Sequence, residues 1–197
     1  MDRCSWWPVG AVAWGIDEKA TALPRVPGRP ERRRERNGTT PEPQERPFGG
    51  TVRGMPRAMT EDEWRRFVME GTHTGKLATV RKDGSPSVVP IWFVLDDEGA
   101  FVFTTGSRSG KARAMRRDPR VALVVDEERP PFSFVLVRGE VTLDDDVEAM
   151  LPWATKIGGR YMGQDQAEQL GRRNAVPGEV LVRLVPQVVI AQADLAD

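Results

Sequence analysis

The sequence predicts a mainly β fold with peripheral helices, a closed or half-closed antiparallel barrel of six strands. Three observations carry that prediction: six apolar segments of strand length, short turn-forming links between most of them, and only two helical interruptions. The barrel is expected over residues 59–197, preceded by an extension over 1–58 that does not fold.

The domain opens on Thr60-Glu61-Asp62-Glu63, which reads as a capping box. Trp64, Phe67 and Val68 then fall on one helical face that ends at Gly71. Two strands follow within KLATVRKDGSPSVVPIWFVLD, joined across Asp83-Gly84, a strong hairpin signal. Pro86 and Pro90 cannot donate to a ladder and belong at strand starts, edges or bulges. AFVFTT supplies a third strand, and the basic helix after Ser109 stops before Pro119. RVALVVDEE and FSFVLVRGEVTLD give a fourth and a fifth strand. Asp144 is expected to cap a helix through Met150, Trp153 and Ile157, broken near Gly158-Gly159 and resumed over 164–173. GEVLVRLVPQVVIA closes the barrel, with alternation around Val180, Val182 and Leu184.

Composition narrows the function. Lys+Arg and Asp+Glu are equal at 29 each, so no global field draws the chain to nucleic acid or to an acidic membrane. The first 58 residues carry 11 basic and 7 acidic groups, which leaves 18 and 22 for the remainder. A domain of net charge −4 that gathers cations into one helix has a site rather than a nucleic-acid footprint. The single cysteine, Cys4, excludes a disulfide within the chain and fits a reducing cytoplasm. With one histidine, His73, in a GTHTG loop, hydrolytic triads and the common histidine-bearing zinc sites lack their parts. The acidic runs at 96–98, 126–128 and 144–146 stand where turns and caps use carboxylates, so no metal is expected.

Upstream, SWWPVGAVAWGI holds Trp6, Trp7 and Trp14 and has some likeness to a leader, but Pro8, Asp17, Glu18 and Lys19 interrupt that pattern. Its 12 residues are too short to span a membrane. The Pro- and Arg-rich stretch after it offers little apolar area to offset ordering entropy, and translation beginning at Met55 or Met59 is an alternative.

The chemistry is expected in FVFTTGSRSGKARAMRRDPR. A strand ends at Thr104 and Thr105 and passes through Gly106, Ser107, Ser109 and Gly110 into a helix carrying Lys111, the arrangement of an anion site. It is not a P-loop, because Gly106 to Gly110 is one residue short and Ala112 stands where a magnesium-binding hydroxyl is required. Arg116, in the last turn, is expected to point away from the anion. A basic helix on a solvated face is the competing reading. PIWFVLD and FSFVLVRGE are apolar at consecutive positions, so both faces of the sheet need cover, and a two-fold partner would supply it.

In order along 59–197, these segments together with WATKIGGRYMG and RRNAVPGEVLVRLVPQVVIAQAD resemble the pyridoxamine 5'-phosphate oxidase-like (PPOX class) split β-barrel superfamily. Within it the resemblance is to the deazaflavin (coenzyme F420) dependent oxidoreductases. The resemblance implies a six-stranded antiparallel split barrel and a homodimer with cofactors in clefts at the subunit interface. It also implies that Thr104, Thr105, Ser109 and Lys111, with Arg113 as a further donor, hold the cofactor phosphate. Val89, Pro90, Ile91 and Trp92 would line the ring system, and Tyr161, Arg172 and Asn174 would lie near the cleft. Serine is followed in the pyridoxamine oxidases by an Arg-Lys pair, replaced here by the wider spacing of Ser109 and Lys111, which weighs against FMN.

The expected activity is reduction of a small organic acceptor, such as an enone, quinone or tetrapyrrole, by hydride from reduced F420. An FMN-dependent oxidoreductase and a non-catalytic flavin or deazaflavin carrier are the alternatives. No catalytic side chain is required. Tyr161 is the domain's single phenol and reads either as a proton donor or as a packing residue at a helix end. Trp92 reads either as cofactor wall or as core.

Overall fold

The computed structural model describes residues 56–196. The expectations placed on 1–55, including the unfolded extension, its tryptophans and the leader and start-site readings, lie outside the described residues.

The six expected strands are present, and two short ones join them. In chain order the elements are β1 (Arg57–Ala58), α1 (Glu61–Met69), β2 (Gly75–Val80), β3 (Pro86–Ile91), β4 (Val94–Leu95), β5 (Phe101–Gly106), α2 (Gly110–Arg117) and β6 (Arg120–Glu127). β7 (Ser133–Asp144), α3 (Val147–Met162), a 3₁₀ turn (Gln164–Gln166), α4 (Ala167–Asn174) and β8 (Glu179–Ala193) complete the domain. β1 lies before the expected boundary at 59, pairing Arg57 with Ala193 and Ala58 with Gln192. Arg57 is held there by ion pairs to Glu63 and Asp194.

All strand pairs are antiparallel, in the order β3-β2-β6-β7-β8-β5-β4. The two ends of that order, β3 and β4, are consecutive in sequence and separated only by Trp92 and Phe93. The expected continuous strand PSVVPIWFVLD is therefore divided. Its first part pairs with β2 and its second with β5, so the sheet must curl until its two edges meet. The long strand β8 makes the curl possible. Its first residues pair with β5 and most of its length with β7, with a register shift beside Arg138 and Gly139. Pro186, which has no N–H to donate, faces Gly139 at that shift. A Cβ on Gly139 would lie 2.0 Å from the Val185 carbonyl oxygen, so only glycine fits.

Alternation then fills the barrel. Leu77, Ile91, Phe101, Phe103, Leu123, Val125, Val135, Val137, Val182 and Leu184 point inward, and Trp64 and Val68 of α1 with Met115 of α2 plug this core. The capping box is formed as expected, Thr60 Oγ1 accepting from Glu63 N and Glu63 from Thr60 N. A second cluster joins the outward residues Val94, Val102 and Leu181 to Met150, Ala154 and Ile157 of α3. Among the described residues, no helix is long and apolar enough to cross a membrane.

Two helix expectations are corrected. Asp146, not Asp144, caps α3, accepting from Glu148 and Ala149 N–H, while Asp144 accepts from Asp146 N and forms the preceding turn. The helix also runs through Gly158-Gly159 and ends at Gly163, whose φ is 103°. These two glycines are contact surfaces rather than breaks. A Cβ on Gly158 would lie 2.8 Å from Leu170 Cβ, and one on Gly171 would lie 2.0 Å from Thr155 Oγ1, so the glycines let α3 and α4 pack closely.

Candidate functional site

The strand-turn-helix segment in which the sequence places an anion site forms between β5 and α2. β5 ends at Gly106, a turn closes from Ser109 N to the Gly106 carbonyl at 2.9 Å, and Ser109 caps α2 by accepting from Ala112 N at 3.2 Å. The loop is tied to the last strand by Ser107 N donating to the Gly178 carbonyl at 2.8 Å. Two hydroxyls meet inside it, Thr105 Oγ1 and Ser109 Oγ, 3.3 Å apart. Thr104 is not brought beside them. Strand alternation gives Thr105 to the barrel side with Phe103 and turns Thr104 to the side of Val102.

Lys111 is the second residue of α2 and is half-buried, so burial holds its ammonium below the ordinary lysine value of 10.5, partly offset by Glu179. Glu179 pairs with Gly106 across the β5–β8 ladder, and its Oε1 lies 3.5 Å from where a Cβ on Gly106 would stand. Burial pushes the Glu179 carboxyl up and Lys111 draws it back. Glu179 had no local signal, because it reaches the loop only through pairing of segments 73 residues apart. Arg113 donates to the Arg108 carbonyl at 2.5 Å. Arg116 does not point away, donating to the Ser107 carbonyl at 2.8 Å and pairing with Asp145 at 2.9 Å. A residue three positions from Arg113 shares its helix face, and a long guanidinium can reach back over the first turn.

The segment 89–92 is split by the same alternation. Val89 and Ile91 pack on the barrel core, whereas Pro90 is exposed and Trp92 belongs to the second cluster. Trp92 stacks on Tyr161 with centroids 4.8 Å apart and planes 3° apart. The Tyr161 hydroxyl donates to the His73 carbonyl at 2.7 Å and accepts from Phe93 N at 3.3 Å. It is engaged on both sides, and burial raises its pKa, so the geometry favours the packing role. Beside it Arg160 donates to the carbonyls of Phe93 (2.8 Å), Val68 (2.7 Å) and Gly71 (3.1 Å). Arg160 had no motif to announce it. Arg172 is exposed and pairs with Glu168, and Asn174 ends α4 four residues before Gly178. Two concavities of about 430 and 340 Å³ lie beside Trp64, between α1 and β8, and neither includes a residue of the anion loop.

α3 and α4 cover the outside of the barrel only at β4, β5 and the start of β8. Across the other strands the register aligns Val88, Ala78, Ala122, Arg138 and Val188, and beside them Pro90, Lys76, Val124, Leu136 and Ile190. Val88 is 60 % exposed, Val188 42 % and Ile190 39 %.

The family model described as pyridoxamine 5'-phosphate oxidase matches residues 60–192, more than half of the chain. The chain belongs to this family. Among curated relatives, the 5a,11a-dehydrotetracycline/5a,11a-dehydrooxytetracycline reductase of Streptomyces rimosus is 41% identical over 56 residues. That match covers 27% of this chain and 39% of the reductase, well under half of the relative's length. Among solved structures, a conserved hypothetical protein of Mycobacterium tuberculosis aligns with a TM-score of 0.60 and 27% identity, over 68% of this chain and 84% of that one. An F420 reductase aligns with a TM-score of 0.49 and 28% identity, over 63% and 94% of the two chains. Membership in the pyridoxamine 5'-phosphate oxidase family accounts for the curled antiparallel sheet with its two edges joined at Trp92-Phe93.

Proposed function

We propose that this chain is a reductase that uses a deazaflavin, coenzyme F420, as hydride donor to a small organic acceptor. The observation that carries the reading is the half-buried Lys111 at the start of α2, on the loop where the Thr105 and Ser109 hydroxyls meet. Glu179 offsets only part of the cost of burying the Lys111 ammonium, a bound anion would offset more, and the loop supplies further donors for that anion. The N–H groups of Gly110 and Lys111, at the helix start, have no protein partner among the described residues. This donor set fits the phosphate of a flavin-type cofactor. Similarity over 56 residues to a dehydrotetracycline reductase supports the direction of the reaction.

The protein's share of the work is binding and orientation. Thr105, Ser109, Lys111 and the α2 N-terminus would hold the phosphate, and the Ser107–Gly178 bond with the Arg116–Ser107 bond keeps the loop in place. A reduced deazaflavin, when bound, supplies the hydride. Tyr161 keeps its proton, being both hydrogen-bonded and half-buried. Among the described residues nothing covers the exposed aliphatics Val88, Val188 and Ile190 on the face they share with Lys76 and Arg138, and this supports a homodimer whose second chain would cover the face and wall the cleft.

Purified protein is incubated separately with reduced F420 and with reduced FMN, and oxidation is followed with a panel of enones, quinones and tetrapyrroles. The expected result is acceptor-dependent oxidation of the deazaflavin. Turnover with FMN alone favours the flavin enzyme, and tight F420 binding without turnover across the panel favours a carrier.

A further inference from the structure

The anion loop contains one group that opposes an anion. Glu179 sits across the ladder from Gly106, its Oε1 lies 3.5 Å from the Cβ position of that glycine, and it and Lys111 act on each other's charge. Its neighbour Gly178 fixes the loop through Ser107 N, so the main chain that carries Glu179 is joined to the loop at two points and its carboxylate lies against Gly106.

We infer that Glu179 tunes the charge of the ligand this loop accepts, biasing it toward a singly charged phosphodiester and against a doubly charged phosphomonoester. The inference rests on the reading of the loop as a cofactor-phosphate site. Coulomb energy scales with the charge of the ligand, so a nearby carboxylate penalises a dianion twice as much as a monoanion at the same position. Partial burial of Glu179 weakens solvent screening and sharpens the difference. The phosphate of F420 is a diester with one charge, while that of FMN is a monoester that is doubly charged well above its second pKa of about 6. Without Glu179 the loop would offer Lys111, two hydroxyls and a helix N-terminus, a set that favours the higher charge.

The test measures dissociation constants at pH 8 and fixed ionic strength for F420, FMN and riboflavin, on the parent, Glu179→Gln and Glu179→Asp. Glu179→Gln is expected to tighten F420 about threefold and FMN about tenfold, the square of the first factor, with riboflavin unchanged. Glu179→Asp, which keeps the charge, retains the parent's preference. Glu179→Ser provides a second uncharged variant should the glutamine chain fold poorly. Equal shifts for F420 and FMN, or no shift, would overturn the role of Glu179. A parent that prefers FMN, with Glu179→Gln increasing that preference, would sink the deazaflavin reading and leave the role of Glu179 standing. Binding of neither ligand by any of the chains would overturn both.

Discussion

The Tyr161 hydroxyl accepts the Phe93 N–H at 3.3 Å, at the point where the chain passes from one end of the sheet order to the other. Phe93 lies between β3 and β4 and has no ladder of its own, so its polar groups need partners from outside the sheet. Two consecutive residues of α3 provide them: Tyr161 takes the N–H, and Arg160 donates to the carbonyl at 2.8 Å. Closure of the barrel is thus fastened by the end of a helix.

Tyr161→Phe is expected to destabilise the fold by about 1–2 kcal/mol, because the stack on Trp92 survives while Phe93 N and the His73 carbonyl lose their partner. Arg160→Met, which strips donors from three carbonyls, is expected to cost about 3 kcal/mol. Urea denaturation measures both, and a Tyr161→Phe chain as stable as the parent removes the fastening role. Burial raises the Tyr161 pKa above the ordinary 10.0, so its contribution is intact below pH 10 and is lost as pH climbs through the raised value. The phenylalanine variant should show a shallower alkaline decline.

Lys111→Ala should weaken cofactor binding more than tenfold, on the order of 2 kcal/mol, without preventing folding. Anion affinity in the parent should fall as pH rises through a value below the ordinary 10.5, because only the protonated ammonium binds and burial has lowered its pKa. Lys111→Arg should move that decline to higher pH. Arg116→Ala should also weaken binding, by less, since it frees the Ser107 carbonyl and Asp145 rather than removing a direct donor. Arg120→Ala, an exposed residue paired with Asp118 and outside the loop, serves as the unchanged control in the same fluorescence titration. Unaltered binding by Lys111→Ala would return α2 to a solvated basic face.

Light scattering at micromolar protein is expected to give twice the 22.0 kDa of one chain. Val88→Asp and Ile190→Asp put charges on the uncovered stripe and should each shift the population toward single chains, with cofactor affinity falling in parallel. A parent that stays at one chain mass while binding cofactor at full affinity would remove the shared cleft.

Local patterns determined most of the barrel. Hydrophobic alternation and the Asp83-Gly84 turn specify the six long strands, Thr60 and Glu63 specify the start of α1, and Ser109 specifies the start of α2. These are short-range effects, written in residues a few positions apart. The tertiary structure alone decided the rest. Trp92-Phe93 is a gap between strands because the sheet's two edges meet there, and no local rule distinguishes that from continuation of PIWFVLD. Gly158 and Gly159 look like helix breakers until α4 packs against the first and Gln164 of the 3₁₀ turn against the second. Alternation assigns Thr104 and Thr105 to opposite sides, which a string of letters invites one to group together. Glu179 and Arg160 enter their sites through contacts 73 and 67 residues away along the chain, to Gly106 and Phe93. Charge and hydrogen bonding act through space, so the sequence could name the loop from Gly106 to Gly110 as a candidate anion site but not the carboxylate of Glu179 that lies beside it.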